Sequence, residues 1–427
     1  MRFWWILWFL MMVFVGNAQE KSLRTFDYPR VVRLDASVPS QYPFIHFDRN
    51  YFKFYSDESP NWEHFYRNLK MMIAKKDRKL NLYHIGGSHI QADIYTHDFR
   101  SFLQTNWPGL SGERGLVFPF GLAKTNNPSN YNFSSPNHWT AYKSVNQRPE
   151  DVVYGLTGAV IKCTDSIALI KFKFMRTVVS TPFDRLRIHH NTGGFPFELN
   201  FDEHEILIDH VESQEDLGYT DIFFTDNIDS IDIQFVRQTT KRIPLEIYGF
   251  EFLNNLPGFT YNAIGINGAG LYTFLANDHF LRDLKVHPPD FFAFSLGTND
   301  GYTSVGNFDP LKYKDNLERM ILKVLEVNPK CAILLTVPND CYLHGKTPNK
   351  NTARQREVII ELAEKYQFAV WDFYGIMGEL GSSMTWKNHG LMRSDLVHFS
   401  SEGYHLKGNL LIDAFLKFIN QFDQFYR

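Results

Sequence analysis

Leu82-Tyr83-His84-Ile85-Gly86-Gly87-Ser88-His89-Ile90-Gln91-Ala92-Asp93 is an apolar run that stops at two glycines and a serine. It reads as a strand whose end delivers a side chain into a turn. Glycine tolerates the tight, sometimes left-handed backbone that takes a strand into a helix while the next residue stands exposed. On this stretch alone the plainer reading, a helix capped by Ser88, has the better claim. The decision lies with distant residues.

Upstream, Phe65, Leu69 and Met72 share one face between Trp62 and Ala74 and predict a helix, followed by the charged turn Lys75-Lys76-Asp77-Arg78 and a strand from Leu80 to Ile85. Downstream, Ile90, Ile94, His97, Phe102 and Leu103 predict a helix ending near Trp107-Pro108-Gly109. Ser88 thus stands at the junction of a βα unit. Residues 109–135, with Gly112, Gly115, Gly121, Asn126-Asn127-Pro128 and Ser134-Ser135-Pro136, read as a long loop, either functional or a linker.

From Trp139 to Phe252 the period becomes two: Ala168, Ile170, Phe172 and Phe174 alternate with Leu169, Lys171 and Lys173, and similar short runs follow between turn residues. Several short strands without a helical stretch predict a jelly-roll-like β-sandwich. At Tyr261 strands and helices alternate again. Strands are expected at Asn262–Ile266, Asp290–Leu296, Cys331–Val337 and Phe368–Trp371, and helices at Leu271–Leu284, Pro310–Val327, Thr352–Tyr366 and Glu402–Phe422. The fold class is α/β, a parallel sheet flanked by helices and interrupted by the sandwich.

The ends and the composition bound the rest. Arg2, an uncharged run from Phe3 to Val15, and Gly16-Asn17-Ala18 form a signal-peptide pattern. That run is shorter than the ~20 residues a spanning helix needs. Cleavage after Ala18 is expected, with no stable membrane span afterwards; an uncleaved N-terminal anchor is the alternative. A chain of 427 residues exceeds the usual single domain of about 150. We divide it into a leader (1–18), an N-terminal segment with the first part of the α/β core (19–135), the inserted sandwich (136–255) and the remainder of the core (256–427). Residues 19–60 read as an extended segment lying on the later parts. A net charge of −3 gives no reason to expect nucleic acid or an anionic membrane as partner. Aromatics, 16% of residues, suit sugar-stacking surfaces as well as buried strand faces. Cys163, Cys331 and Cys341 are too few for a disulfide framework and read as isolated buried thiols, with a Cys331–Cys341 bridge as the alternative. No cysteine and histidine spacing resembles a zinc site, so neither metal nor other cofactor is expected.

In an open α/β sheet, ligands sit outside the carboxyl ends of the strands. The loops there are Gly87-Ser88, Asn267-Gly268-Ala269-Gly270 and Gly297-Thr298-Asn299-Asp300, and Ser394-Asp395-Leu396-Val397-His398-Phe399-Ser400 precedes the last helix. Serine hydrolysis needs a base, a carboxylate to orient it and donors for the oxyanion. The Asp395-x-x-His398 spacing allows the carboxylate to hold the imidazole while its other nitrogen faces Ser88. Ser88 N–H, Gly268 N–H and the Asn299 amide are candidate oxyanion donors. Each has a plainer reading: a turn at Gly268, a cap at Asn299-Asp300, a local pair at Asp395 and His398. Their joint placement favours chemistry. His84, His89 and His97 flank Ser88 and suit structural roles. His89, Asn126 and Asn127 are secondary candidates for touching substrate.

These four blocks, in this order, resemble the SGNH (GDSL-type) hydrolases. The resemblance covers roughly 78–108 and 260–422. It implies a flavodoxin-like core, Ser88 as nucleophile, Asp395 and His398 as its partners, and Ser88, Gly268 and Asn299 as the oxyanion hole. One departure is Gly87, where the family usually has aspartate; that aspartate is not the triad acid. The Gly-x-Ser-x-Gly elbow of α/β-hydrolases is absent, because Ile90 stands at its last glycine. A core of this kind split by a carbohydrate-binding-like sandwich resembles the peptidoglycan O-acetylesterases of the bacterial periplasm. The resemblance implies a secreted or periplasmic serine esterase that removes O-acetyl groups from a cell-wall glycan, commonly at the 6-hydroxyl of N-acetylmuramic acid. The alternatives are an acetyl esterase for another polysaccharide such as xylan, a catalytically inactive glycan-binding envelope protein, and, with less support, a lipase.

Overall fold

The strand Lys79–Gly86 lies inside the sheet and buries side chains on both faces, Leu80 and Leu82 to one, Tyr83 and Ile85 to the other. The computed structural model describes residues 37–425 except 57, 147–148, 176–181 and 202–206. The expected leader over 1–18 lies outside the described residues. Parallel to Lys79–Gly86 run Gly258–Gly265 on one side and Phe291–Ser295 on the other; Ala332–Thr336 and Ala369–Trp371 follow. Among these strands, chain order gives the 2-1-3-4-5 arrangement of flavodoxin-like sheets. Ser111–Glu113 adds a short parallel strand beside Gly258–Gly265, and Lys53–Phe54 closes the far edge antiparallel to Ala369–Val370. That edge, with Tyr42, Ile45 and Phe52 buried, belongs to the segment expected to lie on the later parts of the chain.

Helices Pro60–Lys75, Tyr95–Thr105 and Ser401–Phe425 cover one face of the sheet, and Pro310–Val327 and Asn351–Tyr366 cover part of the other. Between Gly115 and Leu253 the pairing is antiparallel, in a four-stranded sheet and a larger one. Phe172 stacks on Phe252 at 3.9 Å and Phe133 lies 4.9 Å from Phe250, so the two sheets meet face to face. Their buried side chains run without a break into Ile85, Phe292 and Phe294 of the parallel sheet.

Three expectations change. Residues 109–135 are not one loop: Ser111–Glu113 joins the parallel sheet, Gly115–Val117 pairs with Phe250–Phe252, and Tyr131–Ser134 joins the four-stranded sheet, so antiparallel pairing starts upstream of residue 136. The helix after Ser88 is two, Ser88–Gln91 and Tyr95–Thr105, broken where Asp93 takes a φ of +46°. The helix at Leu271–Leu284 is also two, Leu271–Leu275 and Phe280–Val286. Here the inserted region supplies the partners: Asp278 accepts from Tyr154 N–H, and His279 N–H donates to Tyr154 C=O. Cys163, Cys331 and Cys341 are buried and unbridged.

Candidate active site

The strand ends at Gly86 and the short helix Ser88–Gln91 begins at once, with Gly87 between them. An ideal Cβ on Gly87 would stand 2.9 Å from Asn299 Nδ2. Glycine at this position therefore lets the Asn299 amide approach the backbone beside Ser88, which gives the Gly87 departure a local physical reason.

The loop Met392–Phe399 is closed by a bridge between its end residues, by Arg393 N–H to His398 C=O at 2.8 Å and by Leu396 N–H to Arg393 C=O at 3.1 Å. Leu396 takes a φ of +56° and is buried, a backbone cost that the closed loop and the buried side chain offset. Asp395 Oδ1 accepts the N–H groups of Val397 and His398, each at 2.9 Å, and Oδ2 meets His398 Nδ1 at 2.8 Å. Partial burial pushes the Asp395 carboxyl up, but the two N–H donors and His398 outweigh it and hold it below the usual carboxylate range. His398 Nε2 lies 2.8 Å from Ser88 Oγ. A hydroxyl, an imidazole and an ionised carboxylate thus form one hydrogen-bonded chain, the arrangement that activates a serine.

The chain opens on a cleft of about 680 Å³. Ser88, His89, Asn126, Gly268, Asn299, Asp395 and His398 all line it. Gly268 has a φ of +84° with open space where a Cβ would be. Among the described residues neither Ser88 N–H nor Gly268 N–H donates a hydrogen bond. Asn299 Nδ2 donates to Ala269 C=O at 2.9 Å, which fixes the amide and leaves its second N–H available. Behind these loops, Asp300 Oδ1 accepts Leu271 N–H at 2.9 Å and anchors the turn after Gly268. Burial raises the Asp300 carboxyl to about 6.

Of the secondary candidates, His89 faces the cleft with Nδ1 on Tyr404 OH at 2.9 Å, and burial, followed by the charge of Lys407, keeps its ring well below the usual histidine range. It is neutral beside His398. Asn126 lines the cleft, and its Oδ1 accepts from Gln91 and Asn267. Asn127 is corrected: its amide donates to the carbonyls of Pro128 and Tyr131 and its oxygen accepts Gly121 N–H, so it shapes its own loop and does not line the cleft. His84 is buried on Tyr261 and Ser295, and burial lowers it to about 3.

Sequence reasoning left Gln91 and Arg393 without roles. Buried Gln91 accepts Asn267 N–H at 2.7 Å and donates to Asn126 C=O at 2.8 Å, so it joins the nucleophile helix to two cleft loops. Its position three residues after Ser88, on the inward face of that turn, was the available signal. Arg393 lines the cleft from within the closed histidine loop. Among the described residues no group of three His, Cys, Asp or Glu side chains is placed to hold a metal ion, and no helix is long and apolar enough to cross a membrane.

Residues 247–406 match the GDSL-like lipase/acylhydrolase family. The match includes Gly268, Asn299, Asp395 and His398 and starts after Ser88. Among solved structures, the chain is similar to one described as a peptidoglycan O-acetylesterase in action, with a TM-score of 0.71 and 19% identity, over 87% of this chain and 99% of that one. A lipase/acylhydrolase from Enterococcus faecalis matches with a TM-score of 0.30 and 21% identity, over 36% of this chain and 75% of its own. An acetyl xylan esterase, AlAXEase, matches with a TM-score of 0.30 and 19% identity, over 36% and 81%. No curated protein matches the chain in sequence. The resemblance to GDSL-type hydrolases holds over residues 247–406, which carry a GDSL-like acylhydrolase domain and three of the four blocks.

Proposed function

We propose that this SGNH-type ester hydrolase is an exported acetylesterase that removes O-acetyl groups from a cell-wall glycan through an acetyl-serine intermediate. The observation that carries the reading is the continuous chain from Ser88 Oγ through His398 to Asp395, with 2.8 Å at each of its two links. The leader pattern at 1–18 supports export. The overall likeness to an O-acetylesterase that also spans the antiparallel strands supports the substrate class, with residues 136–255 taken as an inserted carbohydrate-binding-like domain.

In this mechanism Ser88 Oγ attacks the acetyl carbonyl carbon as His398 Nε2 takes the hydroxyl proton. Asp395 keeps the ring in the tautomer that presents Nε2 and stabilises the imidazolium. The carbonyl oxygen becomes an oxyanion, for which Ser88 N–H, Gly268 N–H and Asn299 Nδ2 are the donors, each worth on the order of 3 kcal/mol when well aimed. Collapse returns the proton from His398 to the departing sugar oxygen and leaves acetyl-Ser88. Water, deprotonated by His398, then attacks the acetyl carbon; the bond to Ser88 Oγ breaks, His398 returns the proton to Oγ, and acetate leaves. Purified Ser88→Ala protein is expected to lose at least about 10³-fold in kcat for acetate release from O-acetylated peptidoglycan. Turnover at the wild-type rate refutes the mechanism.

A further inference from the structure

The cleft wall carries one carboxylate and one guanidinium. Asp395 is the acidic side chain among the lining residues, and both its oxygens are engaged by His398 and the loop backbone. His89 is neutral, for the reason given above. Arg393 remains. Its side chain is exposed, and its guanidinium makes no hydrogen bond or ion pair with any described residue. Its backbone, by contrast, is fixed: its N–H donates to the carbonyl of His398 and its C=O accepts from Leu396. The cation is therefore built into the same small loop as the general base, at a set offset from the reacting serine.

The neighbouring hairpin adds one lysine, Lys346. The hairpin Tyr342–Leu343 with Thr347–Pro348 is fastened to this loop by Tyr342 N–H to Leu396 C=O at 3.0 Å, and to the cleft residue Tyr302, whose hydroxyl accepts His344 N–H at 2.7 Å. Its turn carries exposed His344 and Lys346, and Gly345 lies against the carbonyls of Ser394 and Asp395. In a chain with a net charge of −3, this basic rim runs against the overall sign. A substrate that fills the cleft strips water from the guanidinium, and sugar hydroxyls replace that hydration only in part. A carboxylate replaces it fully, because the planar fork of donors matches two carboxylate oxygens.

We propose that Arg393 is a specificity-determining residue that binds a carboxylate carried by the glycan next to the acetyl ester. The inference rests on the acetylesterase reading and narrows its substrates to acidic acetylated glycans. Two sources present that group, the acidic substituents of peptidoglycan and the uronic acids of other polysaccharides, and the experiment separates them.

Wild type, Arg393→Ala, Arg393→Lys and Arg393→Glu are compared for acetate release from O-acetylated peptidoglycan, O-acetylated polygalacturonate and acetylated neutral xylan, with 4-nitrophenyl acetate as a small neutral ester. For Arg393→Ala, KM on at least one acidic polymer is expected to rise about tenfold more than on the two neutral esters, with kcat changed less than about threefold. Lys recovers part of the loss and Glu deepens it. Raising salt from about 0.05 M to about 0.5 M should erode the preference in wild type far more than in Arg393→Ala. The acidic polymer that responds identifies the source of the carboxylate. An equal change on all four substrates, or no change, overturns the proposal. Release from xylan alone by wild type overturns it too while leaving the acetylesterase reading intact, whereas full activity in Ser88→Ala refutes that reading itself.

Discussion

Among the carboxylate–imidazole pairs that close at 2.8 Å, Asp395 with His398 and Glu251 with His189 stand in opposite surroundings. The first stands in a cleft, with its side chains 47% and 31% exposed, and its free imidazole nitrogen meets a serine hydroxyl. The second is 8% and 3% exposed and meets no nucleophile. His287 Nε2 lies 3.0 Å from the other Glu251 oxygen, and beside it Arg187 forms a two-bonded pair with Asp221 and stacks over Tyr219. Burial pushes the Glu251 carboxyl up, but His287 and His189 overcome it and hold it well below the usual range. Glu251 and His189 lie on antiparallel strands and His287 just before the core strand Phe291–Ser295. This second pair rivets the inserted strands to the parallel sheet. A histidine beside a carboxylate is therefore not a catalytic signature by itself; access and a third partner make it one.

The comparison is tested hardest by removing one histidine from each pair. His398→Ala is expected to lower kcat for acetate release by about 10³ to 10⁴-fold with an unchanged thermal midpoint. His189→Ala should instead cost about 3 kcal/mol in chemical denaturation, because it strips a partner from a buried carboxylate, and leave kcat of the folded protein close to wild type. Exchanged outcomes would reverse the two assignments. A finer test is Gly87→Ala, whose new methyl meets the Asn299 amide. Loss of about tenfold in kcat with little change in KM is expected, and an undiminished kcat would show that Asn299 is not an oxyanion donor.

The smallest effect concerns the buried carboxyl behind the cleft loops. Asp300 has a folded value of about 6 against an ordinary 3.8, so between those values the folded state holds the proton that the unfolded state has released. Stability is then lost as pH rises through this window and stays lower above it. Asp300→Asn keeps an acceptor for Leu271 N–H and removes the charge. Denaturation should find the variant more stable by about 1–2 kcal/mol at pH 8 and equal to wild type at pH 3.5. A difference that does not vary with pH would reject burial as the cause.

The parts of the fold legible in the sequence were those with long periods. The alternation from Asn262 onward and the period-two run around Phe172 each repeat often enough to overrule local noise. Short elements whose partners lie far away were not legible. Gly115–Val117 is strand because Phe250–Phe252 pairs with it, and Leu116 N–H also finds Asn262 Oδ1 at 2.7 Å. The helix break at Asp93 has the same origin. Its carboxylate is buried on Arg100, Arg114 and Asn130, and nothing near Asp93 announces Arg114. At the site, residues whose chemistry is distinctive, Ser88, Asn299, Asp395 and His398, stood out. Gln91 did not, because it acts through contacts with Thr125, Asn126 and Asn267, and Asn127 misled because asparagine serves loops as readily as ligands.

One feature of the interior bears on how this molecule can be cut and rebuilt. The buried cluster that holds Phe172 and Phe252 also holds Ile85, Phe292 and Phe294, so the antiparallel strands are no detachable module in the engineering sense. A chain with residues 136–255 replaced by a short linker would strand Leu116, Val117 and Phe118 against solvent and lose the Glu251 rivet. Such a chain invites aggregation rather than yielding a minimal hydrolase. A graft onto another SGNH core would have to carry the facing side of that core with it.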